Sequence, residues 1–304
     1  MNLRKLGKII SRFFGWLSLV VCSLIIRLLP VRFLYAFAKN VARFGFLIAV
    51  KHRRIALESL SIAFGREKST PELRKITQDC FVSMAKSGVE MISSVKKLQL
   101  FKDRIVIENK HILDEALSRR KGAILVSGHF GNFPLMMLRL RLAGYPIGGI
   151  MRQMRDKRVE QIFAKLRQDI GIKAIHSQPR KECVDATIRA LKNNEAVCIQ
   201  LDQNFGTGGI FVDFFGRKAA TATGPVILAM RTKAALLPCF IVRKEDDTHR
   251  IIFEPEFKLK YENNFDKTVF INVQSLTGII ESYIRRYPAQ WGWIHRRWKT
   301  RPKQ

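Results

Sequence analysis

The sequence predicts an α/β fold with a mainly parallel central sheet flanked by helices, preceded by an N-terminal membrane helix. After Leu100, short apolar runs of strand length alternate with amphipathic segments of helix length, the pattern of a buried parallel sheet with helical crossovers. Before residue 51, one long apolar run lies beside clustered basic residues. No internal repeat and no linker rich in Pro, Gly or Ser divides the chain. We therefore predict a membrane anchor and amphipathic helix over 1–50 and one α/β domain over 51–304.

The first fifty residues are interpreted as the anchor. Segment 13–26 carries no formal charge, and through Leu29 the run has 17 residues, near the lower limit for crossing a bilayer. Arg27, inside that run, is expected to snorkel to the interface. Residues 31–50 intersperse basic and apolar side chains, as in an amphipathic helix of the headgroup layer. The apolar run is compatible with a helix that spans the membrane, a helix that lies flat on it, or a buried core helix. It does not fit a cleaved signal peptide, because no small-residue cleavage site follows.

The net charge of +29 is concentrated at the two ends of the chain. Residues 1–57 and 282–304 contain 18 Lys or Arg and no acid, whereas the central 224 residues contain 36 basic and 25 acidic residues. Basic residues beside apolar segments are typical of the cytoplasmic side of a membrane protein. A nucleic-acid binder, the alternative, would need a basic face along the duplex. High salt alone would release such a protein from membranes, whereas an anchored protein would need detergent.

The elements after the anchor follow from hydrophobic spacing. Helical spacing covers much of 51–97, where Ser69-Thr70-Pro71-Glu72 marks a helix start. Further helices are predicted over 135–142, 158–169 and 180–192. Short apolar runs predict strands over 105–107, 123–126, 196–201, 236–242 and 251–253. An alternating strand over 210–215 places Asp213 towards solvent.

His129 is the candidate catalytic residue. It follows strand 123–126 and precedes a helix, and the carboxyl ends of parallel strands are where α/β folds bind ligands. Gly128 and Gly131 permit tight backbone geometry and close approach of a substrate. An imidazole here can accept the proton of an alcohol that attacks a thioester; the simpler alternative is a histidine that satisfies a loop hydrogen bond. The other five histidines have no comparable setting and form no metal-binding cluster, and the five cysteines form no Cys-x-x-Cys pair.

Three blocks of sequence, in order, carry a family resemblance. The first is Val126-Ser-Gly-His-Phe-Gly-Asn-Phe; the second is Leu201-Asp-Gln-Asn-Phe-Gly with its continuation through Gly209-Ile-Phe-Val-Asp-Phe-Phe-Gly and Ala220-Thr-Ala-Thr-Gly-Pro. The third is Pro288-Ala-Gln-Trp-Gly-Trp-Ile-His-Arg-Arg-Trp-Lys. Together they resemble the lysophospholipid and lipid A biosynthesis (lauroyl/myristoyl) acyltransferases over nearly the whole chain.

The resemblance implies a glycerolipid acyltransferase-like fold at the cytoplasmic face of the bacterial inner membrane. It implies transfer of a fatty acyl chain from acyl carrier protein, or acyl-CoA, to a hydroxyl of a lipid A precursor or lysophospholipid, without metal or redox cofactor. A monomer is the default expectation. His129 matches the general base, with Asp202 and Arg167 as further catalytic candidates; the alternatives are a turn-capping aspartate and a solvated helix charge. The residues expected to contact substrate are Phe130, Gly131, Asn132, Arg152, Gln203 and Phe215. The acyl chain is expected near Phe130, Phe133, Phe214 and Phe215.

One position departs from the family pattern. The family carries an acid five positions after the histidine, where this chain has Pro134. Proline offers no side-chain acceptor, so Asp202, a backbone carbonyl or a water must orient His129. Otherwise the protein is a catalytically impaired lipid-binding or assembly protein on the same fold.

The C-terminal tryptophans Trp291, Trp293 and Trp298 alternate with basic residues. Such a segment can stack on nucleic-acid bases or lie as an aromatic belt at headgroup depth. Because the other end of the chain is predicted to be an anchor, we favour the membrane belt.

Overall fold

The computed structural model of the protein describes residues 3–94 and 97–302. Five helices precede the first strand: α1 Leu3–Leu28, α2 Val31–Ile48, α3 Val50–Phe64, α4 Thr70–Ser94 and α5 Leu98–Asp103. The strands are β1 Ile105–Glu108, β2 Ala123–Ser127, β3 Ile147–Met151, β4 Lys173–His176, β5 Ala196–Gln200, β6 Ile210–Phe214, β7 Arg217–Thr221, β8 Ala235–Arg243 and β9 His249–Phe253. The remaining helices are α6 Lys110–Ser118, α7 Phe133–Leu142, α8 Lys157–Ile170, α9 Arg180–Lys192, α10 Gly224–Thr232 and α11 Phe265–Arg286.

Seven strands form one sheet in the order β1-β9-β8-β2-β5-β3-β4, and β6 and β7 form a separate antiparallel pair. In the large sheet β8 and β9 pair antiparallel, and the other neighbouring strands whose pairing is described run parallel. The predicted α/β class with a mainly parallel sheet is therefore confirmed. All five residues of β2 are buried, as expected of a central strand with helices on both faces.

The core lies on both faces of this sheet. Along β2, Ile124 and Val126 belong to one hydrophobic cluster, whereas Ala123 and Leu125 belong to the other, because successive side chains of a strand point to opposite faces. The sheet therefore fixes β2 tightly, and the loop that follows it starts from a rigid edge.

The N-terminal helices pack on α4. Helix α2 confirms the predicted helical conformation after residue 31, and its Leu34 and Ala38 belong to a small apolar cluster with Val89 of α4. In the described part of the chain no single helix is both long and apolar enough to cross a membrane; the segments Phe33–Ile48 and Val50–Phe64 reach the threshold only together, and the chain bends by 91° between them. The predicted snorkelling of Arg27 concerns a side chain outside the described ones.

The interpretation of the C-terminal tryptophans as a membrane belt is wrong for Trp291 and Trp293; Trp298 is half-buried, and its indole N–H donates to the carbonyl oxygen of Phe214 at 3.3 Å. Trp291 and Trp293 are 2% and 0% exposed and belong to the core. Both indole N–H groups are satisfied inside the protein, that of Trp293 by the carbonyl oxygen of Pro288 at 2.7 Å. An indole with an internal acceptor has no need of the headgroup layer, so this segment is part of the α/β domain.

Candidate active site

The sheet brings His129 and Asp202 together. β2 and β5 are parallel neighbours, and Ser127 pairs with Gln200 in their register, so each candidate lies two residues beyond the same level of the sheet. Oδ1 of Asp202 lies 2.9 Å from Nδ1 of His129, and Oδ2 accepts a hydrogen bond from the backbone N–H of His129 at 2.8 Å. The carboxylate therefore fixes both the ring and the backbone of the histidine.

Asp202 is held as a buried anion. It is 1% exposed, and its Oδ2 accepts a further hydrogen bond from Nε1–H of Trp291 at 2.6 Å. Burial opposes ionisation, but the attraction and hydrogen bond of His129 and the bond from Trp291 outweigh it and lower the pKa of Asp202 to about 2. Gly128 leaves room for this carboxyl group, because a Cβ there would lie 3.2 Å from Cγ of Asp202.

The side chain of His129 is partly exposed. One third of its side chain, 33%, is exposed, and its ring meets that of Phe133 edge-on at 5.2 Å. With Nδ1–H donated to the carboxylate, the neutral ring carries its free electron pair on Nε2. Burial lowers the pKa of His129, but the negative charge of Asp202 outweighs burial and raises it above the usual value. A histidine oriented in this way can act as a general base.

The loop after His129 is fixed by its backbone. Gly131 has φ of +57°, and a Cβ there would lie 2.0 Å from the carbonyl oxygen of Ile241. The N–H of Gly131 donates to the carbonyl of Gln290 at 2.7 Å, so it has no hydrogen left for a substrate. Asn132 caps α7 by accepting from the N–H of Leu135 at 3.3 Å, and Pro134 occupies the first turn of that helix. Pro134, at the position where the family pattern has an acid, thus helps to start helix α7.

Three of the predicted substrate contacts lie in the core instead. Phe130 is 0% exposed and packs edge-on against Phe240 and Tyr283. Asn132 is 1% exposed with its amide group occupied by protein partners, and Phe215 is buried among aromatic rings. The three side chains are buried, and Phe215, at 6%, is the most exposed of them. Phe214, which was expected near the acyl chain, is also buried and is 0% exposed.

Of the remaining predicted residues, two lie at the edge of the sheet and one lies on a helix. Arg152 directly follows β3 and Gln203 lies three residues after β5, and both side chains are exposed, so both stand at the edge that carries His129. Arg167 lies in the last turn of α8, where Nη2 pairs with Oε1 of Glu160 at 2.6 Å. This ion pair gives Arg167 a partner other than the His129–Asp202 pair.

His295 is a site residue that the sequence analysis missed. Its Nε2 accepts a hydrogen bond from the backbone N–H of Asn204 at 3.0 Å, two residues after Asp202. A ring nitrogen that accepts an N–H bond carries no proton, so the proton of His295 is on Nδ1. Burial lowers the pKa of His295, against the attraction of Asp202, and the ring stays neutral near the catalytic pair.

Arg297 is a buried residue that holds the backbone next to Asp202. Its guanidinium is 0% exposed and donates to the carbonyl oxygens of Gln203 and Ala220 at 3.1 and 2.5 Å. Burial lowers the pKa of Arg297 to about 10, opposed by the charge of Asp202. Arg297, His295 and Trp291 all belong to the third sequence block. The family resemblance of that block could have indicated that these residues belong to the site. Its interpretation as a membrane belt pointed away from the site.

Comparison with known proteins identifies relatives along nearly the whole chain. The family model described as bacterial lipid A biosynthesis acyltransferase matches residues 3–300. The lipid A biosynthesis lauroyltransferase of Escherichia coli (strain K12) is 26% identical over 305 residues, covering 95% of this chain and 92% of the relative. The palmitoleoyltransferase of the same organism is 26% identical and covers 83% and 80% of the two chains. A phosphatidylinositol mannoside acyltransferase of Mycobacterium tuberculosis (strain CDC 1551 / Oshkosh) is 29% identical over 47% of this chain and 45% of the relative.

The family match spans nearly the whole chain, and the first relative aligns over almost its full length. The fold and the comparisons therefore lead to one conclusion: this chain belongs to the bacterial lipid A biosynthesis acyltransferase family.

Proposed function

We propose that this acyltransferase moves a fatty acyl chain from a thioester donor to a hydroxyl of a lipid A precursor or a related glycolipid, with His129 as general base and Asp202 as the acid that orients it. One observation carries the proposal. Although position 134 is proline, Nδ1 of His129 lies 2.9 Å from a buried carboxylate that is supplied by another strand.

In the proposed reaction, Nε2 of His129 removes the proton of the acceptor hydroxyl while the hydroxyl oxygen attacks the thioester carbonyl. The tetrahedral intermediate collapses with cleavage of the C–S bond, and the imidazolium returns its proton to the departing thiolate. Asp202 keeps the ring in the productive tautomer and stabilises the imidazolium by its charge, the part that the buried aspartate plays in a Ser-His-Asp triad.

The acceptor and donor are inferred from the relatives and from charge. The names of the relatives mention lipid A and phosphatidylinositol mannoside, both of which are glycolipids, so a glycolipid hydroxyl is the favoured acceptor. Arg152 and Gln203 at the edge of the site are its proposed contacts. The net charge of +29 suits an acidic acyl carrier protein as donor, because a positive field speeds the encounter. With that donor, turnover falls steeply as salt rises; with acyl-CoA the dependence is weaker.

Membrane attachment at the cytoplasmic face of the inner membrane is proposed for α1 and α2. Large apolar side chains are exposed on both helices, among them Phe14 at 59%, Leu28 at 84% and Phe44 at 64%. Exposed apolar surface of this extent marks an interaction site, and the basic residues beside it suit anionic headgroups.

The proposal is tested by incubating detergent-solubilised protein with labelled acyl carrier protein or acyl-CoA and a panel of lipid A precursors, lysophospholipids and phosphatidylinositol mannosides. We expect label on a glycolipid. Folded protein that transfers label to none of them would overturn the proposal and favour a non-catalytic lipid-binding role.

A further inference from the structure

A buried carboxylate outside the catalytic pair connects the loop of His129 to the N-terminal helix α2. We propose that Glu90 of α4 is a positioning residue that couples the seating of α2 to the geometry of the catalytic loop. The inference rests on the proposed function for its kinetic consequence, whereas the coupling itself can be measured without turnover.

The first connection runs to the catalytic loop. Oε2 of Glu90 accepts a hydrogen bond from Nδ2 of Asn132 at 2.8 Å, and the same amide group reaches the carbonyl oxygen of Ser87 at 3.3 Å. Asn132 lies three residues after His129 and caps α7 with its side-chain oxygen. Glu90 therefore fixes the side chain at which the loop turns into its helix.

The second connection is an ion pair behind the same loop. Arg243 pairs with Glu90, with Nη2 at 2.7 Å from Oε2. The backbone of Arg243 exchanges two hydrogen bonds with the side chain of Gln290, at 2.8 and 2.9 Å, and the carbonyl of Gln290 accepts from Gly131. Glu90 and Arg243 thus hold the loop at Asn132 and at Gly131.

The third connection runs to α2. The hydroxyl of Tyr35 donates to Oε1 of Glu90 at 3.0 Å, and the tyrosine ring lies near two cations, 5.5 Å from Lys86 Nζ and 5.9 Å from the Arg104 guanidinium. Further along α2, Phe44 and Leu47 are 64% and 67% exposed. The helix that offers apolar surface to a lipid thus also contributes a hydrogen bond to the buried carboxylate.

Burial makes this arrangement cooperative. Glu90 is 1% exposed, and a charge at that depth is tolerated only when its oxygen atoms are hydrogen-bonded and paired. Displacing α2 removes one donor and admits water to the carboxylate, which weakens its hold on Asn132. Seating α2 on the protein, as binding to a membrane would favour, consequently stabilises the loop that carries His129.

The test compares wild type, Tyr35→Phe and Tyr261→Phe, a control that removes the hydroxyl of a tyrosine 62% exposed and far along the chain. Hydrogen exchange of backbone amides 129–132 is measured with and without vesicles of phosphatidylethanolamine and phosphatidylglycerol. We expect vesicles to slow exchange in wild type and in Tyr261→Phe but not in Tyr35→Phe. Equal protection in all three proteins would overturn the coupling, whether or not the protein transfers acyl groups.

Kinetics with acceptor in the same vesicles give the second readout. We expect Tyr35→Phe to lower kcat about tenfold, at the lower end of the effect of one hydrogen bond to a charged group, with KM unchanged. A variant with wild-type kcat would contradict the positioning role. A wild type without turnover would refute the proposed function and leave the exchange experiment to decide the coupling.

Discussion

Asp202 grips His129 at two points, with Oδ1 at 2.9 Å from the ring Nδ1 and Oδ2 at 2.8 Å from the backbone nitrogen. The carboxylate that follows β5 thereby takes the role of the acid that the family pattern has at position 134, where this chain has proline. Because the two groups lie at the ends of adjacent parallel strands, the buried strands β2 and β5 support the pair. With proline at position 134, the acid beside the histidine comes from a different segment of the chain.

The rate of acyl transfer is expected to depend on pH through His129. The general base acts in its neutral form, and Asp202 raises the pKa of the imidazole above its ordinary 6.5. Activity should therefore be low below that pKa and rise as the pH increases through it, with the midpoint above 6.5. A pH profile of kcat/KM, which reports the free enzyme, whose midpoint lies at or below 6.5 would show that the negative charge of Asp202 does not act on the ring.

Removal of the indole N–H of Trp291 is expected to impair turnover. Trp291→Phe keeps the aromatic packing but takes away the 2.6 Å hydrogen bond to Asp202, a bond to a charged group, so we expect kcat to fall about tenfold. Trp293→Phe is the matched control, because it loses a similar bond to a backbone carbonyl instead. Equal rates for both variants would mean that the bond to Asp202 has no part in catalysis.

Pro134→Ala is expected to keep activity within about twofold of wild type. Pro134 lies in the first turn of α7, where proline is favoured but not required, and the helix keeps its cap from Asn132. The measurement is kcat together with Tm. A loss of activity in a folded Pro134→Ala protein would assign Pro134 a role that the structure does not show.

Charged substitutions on α2 are expected to weaken membrane binding without destabilising the protein. Phe44→Glu and Leu47→Glu change side chains that are 64% and 67% exposed, so Tm should change little, whereas each introduces a charge into the apolar surface. Co-sedimentation with vesicles measures the effect, and Tyr261→Glu provides an exposed control. Vesicle binding that survives both α2 substitutions would place the membrane-binding surface elsewhere.

The sequence predicts the local part of the site and misses the part made by distant segments. β2, His129 and the following helix are adjacent in the chain, and Asp202 follows because parallel strands end at one edge. The bond between Trp291 and Asp202 joins residues 89 apart, and no local pattern reports such a contact. The same reason hides His295 and Glu90, whose partners are also distant in sequence.

Two unpredicted elements have physical causes of their own. β3 contains Gly148 and Gly149, which weaken its apolar pattern; a Cβ on Gly149 would lie 2.9 Å from the sulfur of Met137, so glycine allows α7 to pack closely. α11 buries Asn272, whose amide bonds the backbone of Lys260 at 2.9 and 2.7 Å. A buried asparagine breaks the apolar stripe by which an amphipathic helix is recognised.

The central claim is that His129 and Asp202 together perform acyl transfer. It is tested most directly by the initial rate of acyl transfer to the preferred glycolipid for wild type, His129→Ala and Asp202→Asn. Asp213→Asn provides the matched control at an exposed aspartate that pairs with Lys218. We predict activity for wild type and Asp213→Asn, none for His129→Ala, and a loss of about four orders of magnitude for Asp202→Asn. Wild-type rates in a folded Asp202→Asn protein would contradict the account.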